Sequence, residues 1–220
     1  MAKEDTKKRA LVLLHTLQKL FPKAHIMLTH KNPWELLVEV MLSAQCTDKK
    51  VNEVTKKLFK KYKTVSAYAN ASPREFEKDI FQTGFYKVKT KHIIETAQII
   101  QKKYKGKVPH TMEELTALPG VARKTANIVL GNAFRVVEGI AVDTHVLRFA
   151  LKFKLTHEQN TNKIEKDLME LFPKKDWLRA SYQIIEYGRT ICPARRHQCE
   201  NHPLSKLYPP AAHIWPKTRN

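Results

Sequence analysis

The chain has 220 residues, of which 42% are hydrophobic, and its 40 lysines and arginines against 21 acidic residues give a formal net charge of +19 at pH 7. This length and composition allow one domain or two small lobes with a sizeable core, and the excess of positive charge is typical of proteins that bind a polyanion. No apolar run approaches transmembrane length and the charged segment 1–9 does not look like a secretory signal, so the sequence favours an intracellular protein with nucleic acid as its partner.

The first part of the chain predicts helices separated by short turns, and the whole sequence contains only six glycines. A stripe of leucines at helical spacing runs through about 8–20. An apolar helix then opens at Asn32-Pro33 and ends near Ser43. A polar break follows it, and Asp48 is predicted to cap the next helix.

Later helices are marked by capping signals. Residues 72–75 (SPRE) and 111–114 (TMEE) each combine a cap residue with an acidic residue three positions later. The turn at Gly84 separates two of the predicted helices. Towards the C-terminus, the segment from Trp177 to Tyr187 predicts a helix that stops at the next glycine.

The most informative segment is 118–127, which reads LPGVARKTAN. It predicts a short helix, a tight turn through Pro119 and Gly120, and a second helix that starts near Ala122. The first N–H groups of a helix have no partner inside it and lie at its positive end, so they form a site for a phosphate. Lys124 lies one turn into this helix, where the dipole disfavours its charged form, and an uncharged lysine is a nucleophile.

Asp143 is the second candidate for chemistry. It follows the short apolar run 139–142 and stands where an N-cap belongs, before a predicted helix over 144–152. A carboxylate at this position could stabilise positive charge that develops on a sugar, or help to activate the lysine.

Taken together, segment 118–127 and the sequence VDTH at 142–145 resemble the helix-hairpin-helix and catalytic-aspartate signature of endonuclease III. The resemblance extends from about Leu11 to Cys199. The family comprises DNA glycosylases with an associated abasic-site lyase activity. The resemblance therefore implies that Lys124 and Asp143 are catalytic.

The resemblance also implies roles for two turns. Judged by residue type alone, Gln45 is a surface or capping residue and Phe85 a core residue. In the family, the glutamine of the first turn fills the gap left by a flipped nucleotide, and an apolar residue of the second turn wedges into the opposite strand. The DNA-binding residues expected on this basis are Gln45, Phe85, Gly120, Val121, Ala122, Arg123, Arg148, Arg195 and Arg196.

The C-terminal tail departs from the family pattern. Most endonuclease III-like proteins end in four cysteines, C-x6-C-x2-C-x5-C, which hold a [4Fe–4S] cluster, whereas this spacing selects Cys192, Cys199, His202 and Tyr208 here. Two thiolates are missing, and zinc bound by the first three would lack an evident fourth ligand. We therefore expect no cofactor and a metal-free loop. The apolar residues expected to hold that loop are Leu204, Leu207, Ile214 and Trp215.

The predicted fold is all-α with two lobes, a six-helix bundle over 26–134 and a second helical lobe made of 1–25 plus 135–220. Duplex DNA containing damaged bases or abasic sites is expected to run across the cleft between them, bound by a monomer, with one nucleotide extruded. The predicted activity is removal of a damaged base, by family default an oxidised pyrimidine, followed by strand cleavage. Three alternatives remain open: a monofunctional or mismatch-specific glycosylase of the same fold, a non-catalytic hairpin protein, and an inactive family member.

Overall fold

The computed structural model describes residues 2–216, and within that range the chain forms helices and connecting turns with no strand. This confirms the predicted all-α class. The chain divides into two compact units, Met27–Glu138 and the combination of Met1–Ile26 with Gly139–Asn220. Over residues 2–216, no helix is both long and apolar enough to cross a lipid bilayer.

The α-helices of the described range, in chain order, are α1 (Ala2–Leu20), α2 (Pro33–Leu42), α3 (Asp48–Lys61), α4 (Val65–Ala69), α5 (Pro73–Ile80), α6 (Tyr86–Tyr104), α7 (Met112–Thr116), α8 (Arg123–Val129), α9 (Thr144–Lys152), α10 (Thr161–Leu171), α11 (Trp177–Thr190) and α12 (Pro203–Leu207). Helix α8 continues directly into a π-helical turn, Leu130–Phe134.

Local capping chemistry explains where several helices begin. The side chain of Asn32 caps α2 and that of Thr111 caps α7, both as predicted. Helix α3 differs from the prediction because Thr47 supplies the capping oxygen and Asp48 is the first helical residue. Ser72 precedes α5 as predicted, but its side chain makes no capping hydrogen bond.

The unit formed by 27–138 is built around α6, which packs on α4 and α5. An aromatic cluster fills the space between these helices and α2. Tyr68 lies at its centre, with its ring centroid 5.1 Å from that of Trp34 and 5.7 Å from that of Phe76. Tyr68 and Phe76 are completely buried, and burial of one such side chain stabilises the fold by about 1.5–3 kcal/mol.

The other unit packs α1, α9, α10 and α11 around one apolar core. Helix α11 passes through Gly188 and ends at Thr190, so the predicted stop at that glycine is wrong. Glycine is nevertheless required inside the helix, because a Cβ there would lie 2.5 Å from Nδ1 of His145. In the tail, Leu204 is buried as expected but Leu207 is 46% exposed, which contradicts its predicted role in holding the loop.

Candidate catalytic residues, DNA-contact turns and metal ligands

The predicted hairpin forms between α7 and α8, and its turn requires glycine. Gly120 has φ of +74°, and a Cβ at this position would lie 2.7 Å from the His92 ring. The Thr96 hydroxyl donates to the carbonyl of Pro119 at 3.0 Å, which fixes the other side of the turn. A side chain at position 120 would therefore be both strained and obstructed.

Helix α8 begins without a side-chain cap, because its N-cap residue is Ala122. The first hydrogen bond of the helix runs from Ala126 N to the Ala122 carbonyl at 3.0 Å, so the N–H groups of Lys124 and Thr125 precede the first bond within the helix. This is the arrangement that binds an anion. Val121 differs from the prediction, since its N–H already donates to the Leu118 carbonyl at 3.1 Å. Val121 supports the turn and does not offer its N–H to a ligand.

Lys124 lies in the first turn of α8, with an exposed side chain. Among the described residues its ammonium group has no hydrogen bond or ion pair. Arg123 beside it is half-buried. A lysine in this position is accessible to a large substrate, and the adjacent helix terminus can hold a phosphate of that substrate. The hairpin can therefore present a nucleophile next to an anchored nucleic-acid strand.

Asp143 is the N-cap of α9, as predicted. Its Oδ1 accepts hydrogen bonds from the backbone N–H groups of His145 and Val146, both at 2.8 Å. These two bonds hold the carboxylate in one orientation. Because they both use Oδ1, the second carboxylate oxygen has no hydrogen bond to any described residue and remains available to stabilise a positive charge.

Two exposed turns of the 27–138 unit hold strained residues at their tips. Gln45 has φ of +53° and Phe85 has φ of +48°, the left-handed conformation that residues with a side chain rarely adopt. Phe85 is 64% exposed, so the interpretation of this residue as part of the core is wrong. Strain of this kind costs about 1–3 kcal/mol and is concentrated at functional sites.

Lys89, which no pattern in the sequence singles out, joins these two turns. Its side chain is only 6% exposed, and its ammonium donates to the carbonyls of Leu42 and Thr83, each at 2.7 Å. Leu42 directly precedes the turn of Gln45, and Thr83 directly precedes the turn of Phe85. Burial lowers the pKa of Lys89, so its environment opposes its charge and the two carbonyls offset that cost. Lys89 therefore fixes the spacing of the two exposed tips.

We expect Lys89→Met to lower the free energy of unfolding by about 1–3 kcal/mol, because two buried carbonyls lose their partner. Amide hydrogen exchange should accelerate in both turns. Urea unfolding and exchange mass spectrometry measure these effects. The matched control is Lys91→Met on the same helix, where the lysine is exposed and pairs with Glu95 at 4.0 Å. Equal stability of the two variants would contradict the role assigned to Lys89.

Arg148, which is predicted to contact DNA, is buried in the structure. It is 6% exposed, and its guanidinium donates to the carbonyls of Cys192 at 3.1 Å and Gly188 at 3.4 Å. The guanidinium is therefore already bound to backbone oxygens within its own unit, and the DNA contact of Arg148 stays a prediction. Arg195 and Arg196, by contrast, are both exposed.

The C-terminal tail brings together four side chains that could hold a metal ion. The ligand atoms of Cys192, His197, Cys199 and His202 all lie within 4.8 Å of one another. Burial raises the pKa of the Cys192 thiol. Burial lowers the pKa of His202, and this favours the neutral imidazole that a metal binds. The expected metal-free loop does not agree with this grouping, whose fourth member is His197.

Tyr208, which the family spacing selects as a fourth ligand, packs against Arg9. Its ring packs under the guanidinium of Arg9, with 4.6 Å between the arginine Cζ and the ring centroid. Only two thiolates are therefore present where the family pattern has four. A [4Fe–4S] cluster normally takes one thiolate for each iron, so these residues do not fit that group.

Relatives of known sequence and structure agree with this architecture. Residues 38–174 match the family described as HhH-GPD superfamily base excision DNA repair protein. Endonuclease III of Synechocystis sp. is 45% identical over 205 residues, which cover 93% of this chain and 94% of the relative.

Two solved structures carry the same likeness. A non-covalent endonuclease III–DNA complex matches with a TM-score of 0.89 and 42% identity, covering 93% of this chain and 96% of its own. A trapped endonuclease III–DNA covalent intermediate matches with a TM-score of 0.88 and 42% identity, and the match covers 91% of this chain and 94% of the other. The chain therefore belongs to the HhH-GPD superfamily of base excision DNA repair proteins, as a homologue of endonuclease III.

Proposed function

We propose that this protein is a DNA glycosylase with an associated abasic-site lyase activity, which removes a damaged base from duplex DNA and then cleaves the strand. The observation that carries the proposal is the exposed Lys124 at the uncapped start of α8, in a chain that also provides an oriented Asp143 carboxylate. One of the similar solved structures is a trapped covalent intermediate of endonuclease III with DNA. The lysine is the residue of this chain best suited to form such a bond.

In the proposed mechanism, Nζ of Lys124 attacks C1′ of the damaged nucleotide. The bond between C1′ and the base nitrogen breaks, and the base leaves with the bonding electrons and takes up a proton. The sugar ring then opens between C1′ and its ring oxygen to give a Schiff base with the lysine. Loss of a C2′ proton and departure of the 3′ phosphate complete a β-elimination, which cleaves the strand. Asp143 stabilises the positive charge that develops at C1′.

The remaining residues hold the DNA in place. The N–H groups at the start of α8, together with the turn at Gly120 and Ala122, bind a backbone phosphate without reading sequence. Gln45 fills the space that the extruded nucleotide vacates, and Phe85 presses into the opposite strand, which offsets part of the cost of unstacking. The protein acts as a monomer inside the cell, where its DNA substrate is found.

Borohydride trapping tests this proposal directly. Duplexes that each contain one oxidised pyrimidine, one abasic site or no lesion are incubated with the protein in the presence and absence of borohydride. We expect strand cleavage of the first two and a covalent adduct that borohydride makes permanent. Base release without an adduct would instead identify a monofunctional glycosylase, and binding without either product would identify a non-catalytic hairpin protein.

Replacement of Phe85 by alanine tests the wedge. We expect Phe85→Ala to slow base excision about tenfold or more, since unstacking a base step costs a few kcal/mol and about 1.4 kcal/mol corresponds to a factor of ten. The melting temperature should hardly change, because the side chain is 64% exposed. Single-turnover kinetics with a lesion duplex measure the rate.

The control for this experiment is Phe81→Ala. Phe81 is 60% exposed and packs against Tyr86, with 4.9 Å between the ring centroids. It is a nearby aromatic residue outside the proposed contact, so its removal should leave excision unchanged. A similar loss in both variants would show that general surface hydrophobicity, and not a wedge at position 85, assists excision.

Arg195 and Arg196 are expected to neutralise phosphates. Replacing both with alanine should weaken binding to damaged and undamaged duplex alike, and should reduce the slope of log affinity against log salt by about 1.8, or 0.9 for each phosphate that is no longer neutralised. Fluorescence anisotropy across a salt series measures the slope. The control replaces Lys174 and Lys175, an exposed basic pair in the same unit, and should leave the slope unchanged. An equal slope for the arginine variant and the unmodified protein would remove this loop from the interface.

A further inference from the structure

We propose that the C-terminal tail binds a single zinc ion in a tetrahedral site formed by Cys192, His197, Cys199 and His202, and that this mononuclear site replaces the four-iron cluster of the family pattern. The ligands follow the spacing C-x4-H-x-C-x2-H. This set is independent of the proposed catalytic residues, and it would stand even if the enzyme activity were disproved.

The distances fit one ion. Zinc binds thiolate and imidazole at about 2.0–2.3 Å, so a tetrahedral site holds its ligand atoms about 3.3–3.8 Å apart. Sγ of Cys199 lies 3.1 Å from Nε2 of His197, and no pair of the four ligand atoms is separated by more than 4.8 Å. These separations bracket the range that a tetrahedral zinc ion requires.

The two imidazoles are oriented as metal ligands. Nδ1 of His197 lies 2.7 Å from the carbonyl oxygen of Arg195. A carbonyl can only accept, so Nδ1 carries the proton and Nε2 has its lone pair free towards Cys199. This is the outer hydrogen bond that fixes metal-binding histidines in other proteins. His202 stacks on His197 with 4.9 Å between the ring centroids, and its Nδ1 is buried without a hydrogen-bond partner. A metal ion would satisfy that nitrogen.

The surroundings enclose the site. The last part of the described tail covers the cluster. The ring centroid of Trp215 lies 5.0 Å from that of His197 and 3.9 Å from Nζ of Lys152. Closed sites with four protein ligands are typical of structural zinc.

Iron–sulfur alternatives fit the geometry less well. A four-iron cluster needs four ligands, each on its own iron, and here only two thiolates are present. A two-iron centre of the kind held by two cysteines and two histidines places both thiolates on one iron and both imidazoles on the other. The thiolate pair and the imidazole pair would then stand apart by the width of the cluster. Here Cys199 Sγ and His197 Nε2, one member of each pair, are only 3.1 Å apart, which is too close for ligands on different irons.

Metal analysis of the full-length chain tests the proposal. Protein purified without chelators under anaerobic conditions should be colourless and contain one zinc and only traces of iron per chain. Two or four iron atoms per chain would overturn the assignment. Failure to retain zinc after incubation with a stoichiometric amount and gel filtration would overturn it as well.

Substitution of single ligands identifies the site. His197→Asn and His202→Asn should each lose most of the bound zinc, whereas Tyr208→Phe and His213→Asn should retain one zinc per chain. Tyr208 tests the position that the family spacing selects, and His213 is an exposed histidine outside the cluster. Full zinc retention by His197→Asn would overturn the four-ligand assignment.

Cobalt substitution keeps the proposal testable if a ligand variant fails to fold. The unmodified protein loaded with cobalt(II) should show the strong visible bands of tetrahedral cobalt together with thiolate-to-cobalt charge transfer in the near ultraviolet. A chelator should lower the melting temperature of the zinc protein, and added zinc should restore it. Weak octahedral cobalt bands without charge transfer would contradict a site that contains two thiolates.

Discussion

Replacement of Lys124 by glutamine is expected to abolish the borohydride-trapped adduct and the cleavage of abasic-site DNA. A glutamine amide cannot form a Schiff base, and loss of the nucleophile lowers the rate of a covalent enzyme by several orders of magnitude. DNA binding should persist, because the proposed phosphate site uses backbone N–H groups at the uncapped start of α8 and not the lysine side chain. Gel electrophoresis of trapped adducts and anisotropy of bound duplex measure the two effects separately.

Lys124→Arg is the matched control for charge. It keeps a positive group at the same place on α8, so the salt dependence of binding should equal that of the unmodified protein. Its guanidinium remains protonated and is not a nucleophile, so the adduct should still be absent. An undiminished adduct in either variant would mean that another amine forms the covalent bond.

The parts of this molecule that local chemistry determines could be predicted from the sequence. The turn at Gly120 was predictable because a Pro-Gly pair is a turn signal and glycine accepts a positive φ, and the structure gives Gly120 a φ of +74°. Asp143 could be placed as an N-cap because a short polar residue after an apolar run commonly starts a helix. Capping by Thr47 in place of Asp48 shows the usual limit, since two adjacent residues could both cap and the sequence does not decide between them.

The features that depend on distant contacts could not be predicted. Lys89 resembles any other lysine of an amphipathic helix, and only the folded unit shows that its ammonium is buried between the carbonyls of Leu42 and Thr83. Arg148 resembles a DNA contact by its charge, yet it bonds to backbone oxygens 40 and 44 residues away.

The missed metal ligand has a different cause. His197 lies between Cys192 and Cys199. The four-cysteine spacing of the family selects positions 202 and 208 as the other two ligands and does not include position 197. Residues outside the family spacing can still lie close to the cysteines in the folded chain. The structure places His197 beside Cys199 and Tyr208 against Arg9, so the four candidate ligands come together only in the folded tail.

The remaining large effect is expected at Asp143, where two variants separate charge from capping. An asparagine at this position would retain an oxygen that can accept from the N–H groups of His145 and Val146, and asparagine caps helices about as well as aspartate. Asp143→Asn should therefore change the free energy of unfolding by less than about 1 kcal/mol. Asp143→Ala removes the acceptor as well and should cost about 0.5–2 kcal/mol.

Base excision should respond to charge and not to capping. Both variants lack the carboxylate that we propose stabilises the cationic sugar, so we expect each to slow excision of an oxidised pyrimidine by about 10²–10³-fold. Cleavage at a preformed abasic site should suffer less, because the bond to the base is already broken and less positive charge must be stabilised at C1′. Single-turnover rates on the two substrates, read beside urea unfolding of each variant, give the comparison. Full excision activity in Asp143→Asn would show that the chain needs residue 143 only as the cap of α9, and the cationic sugar would then require another stabilising group.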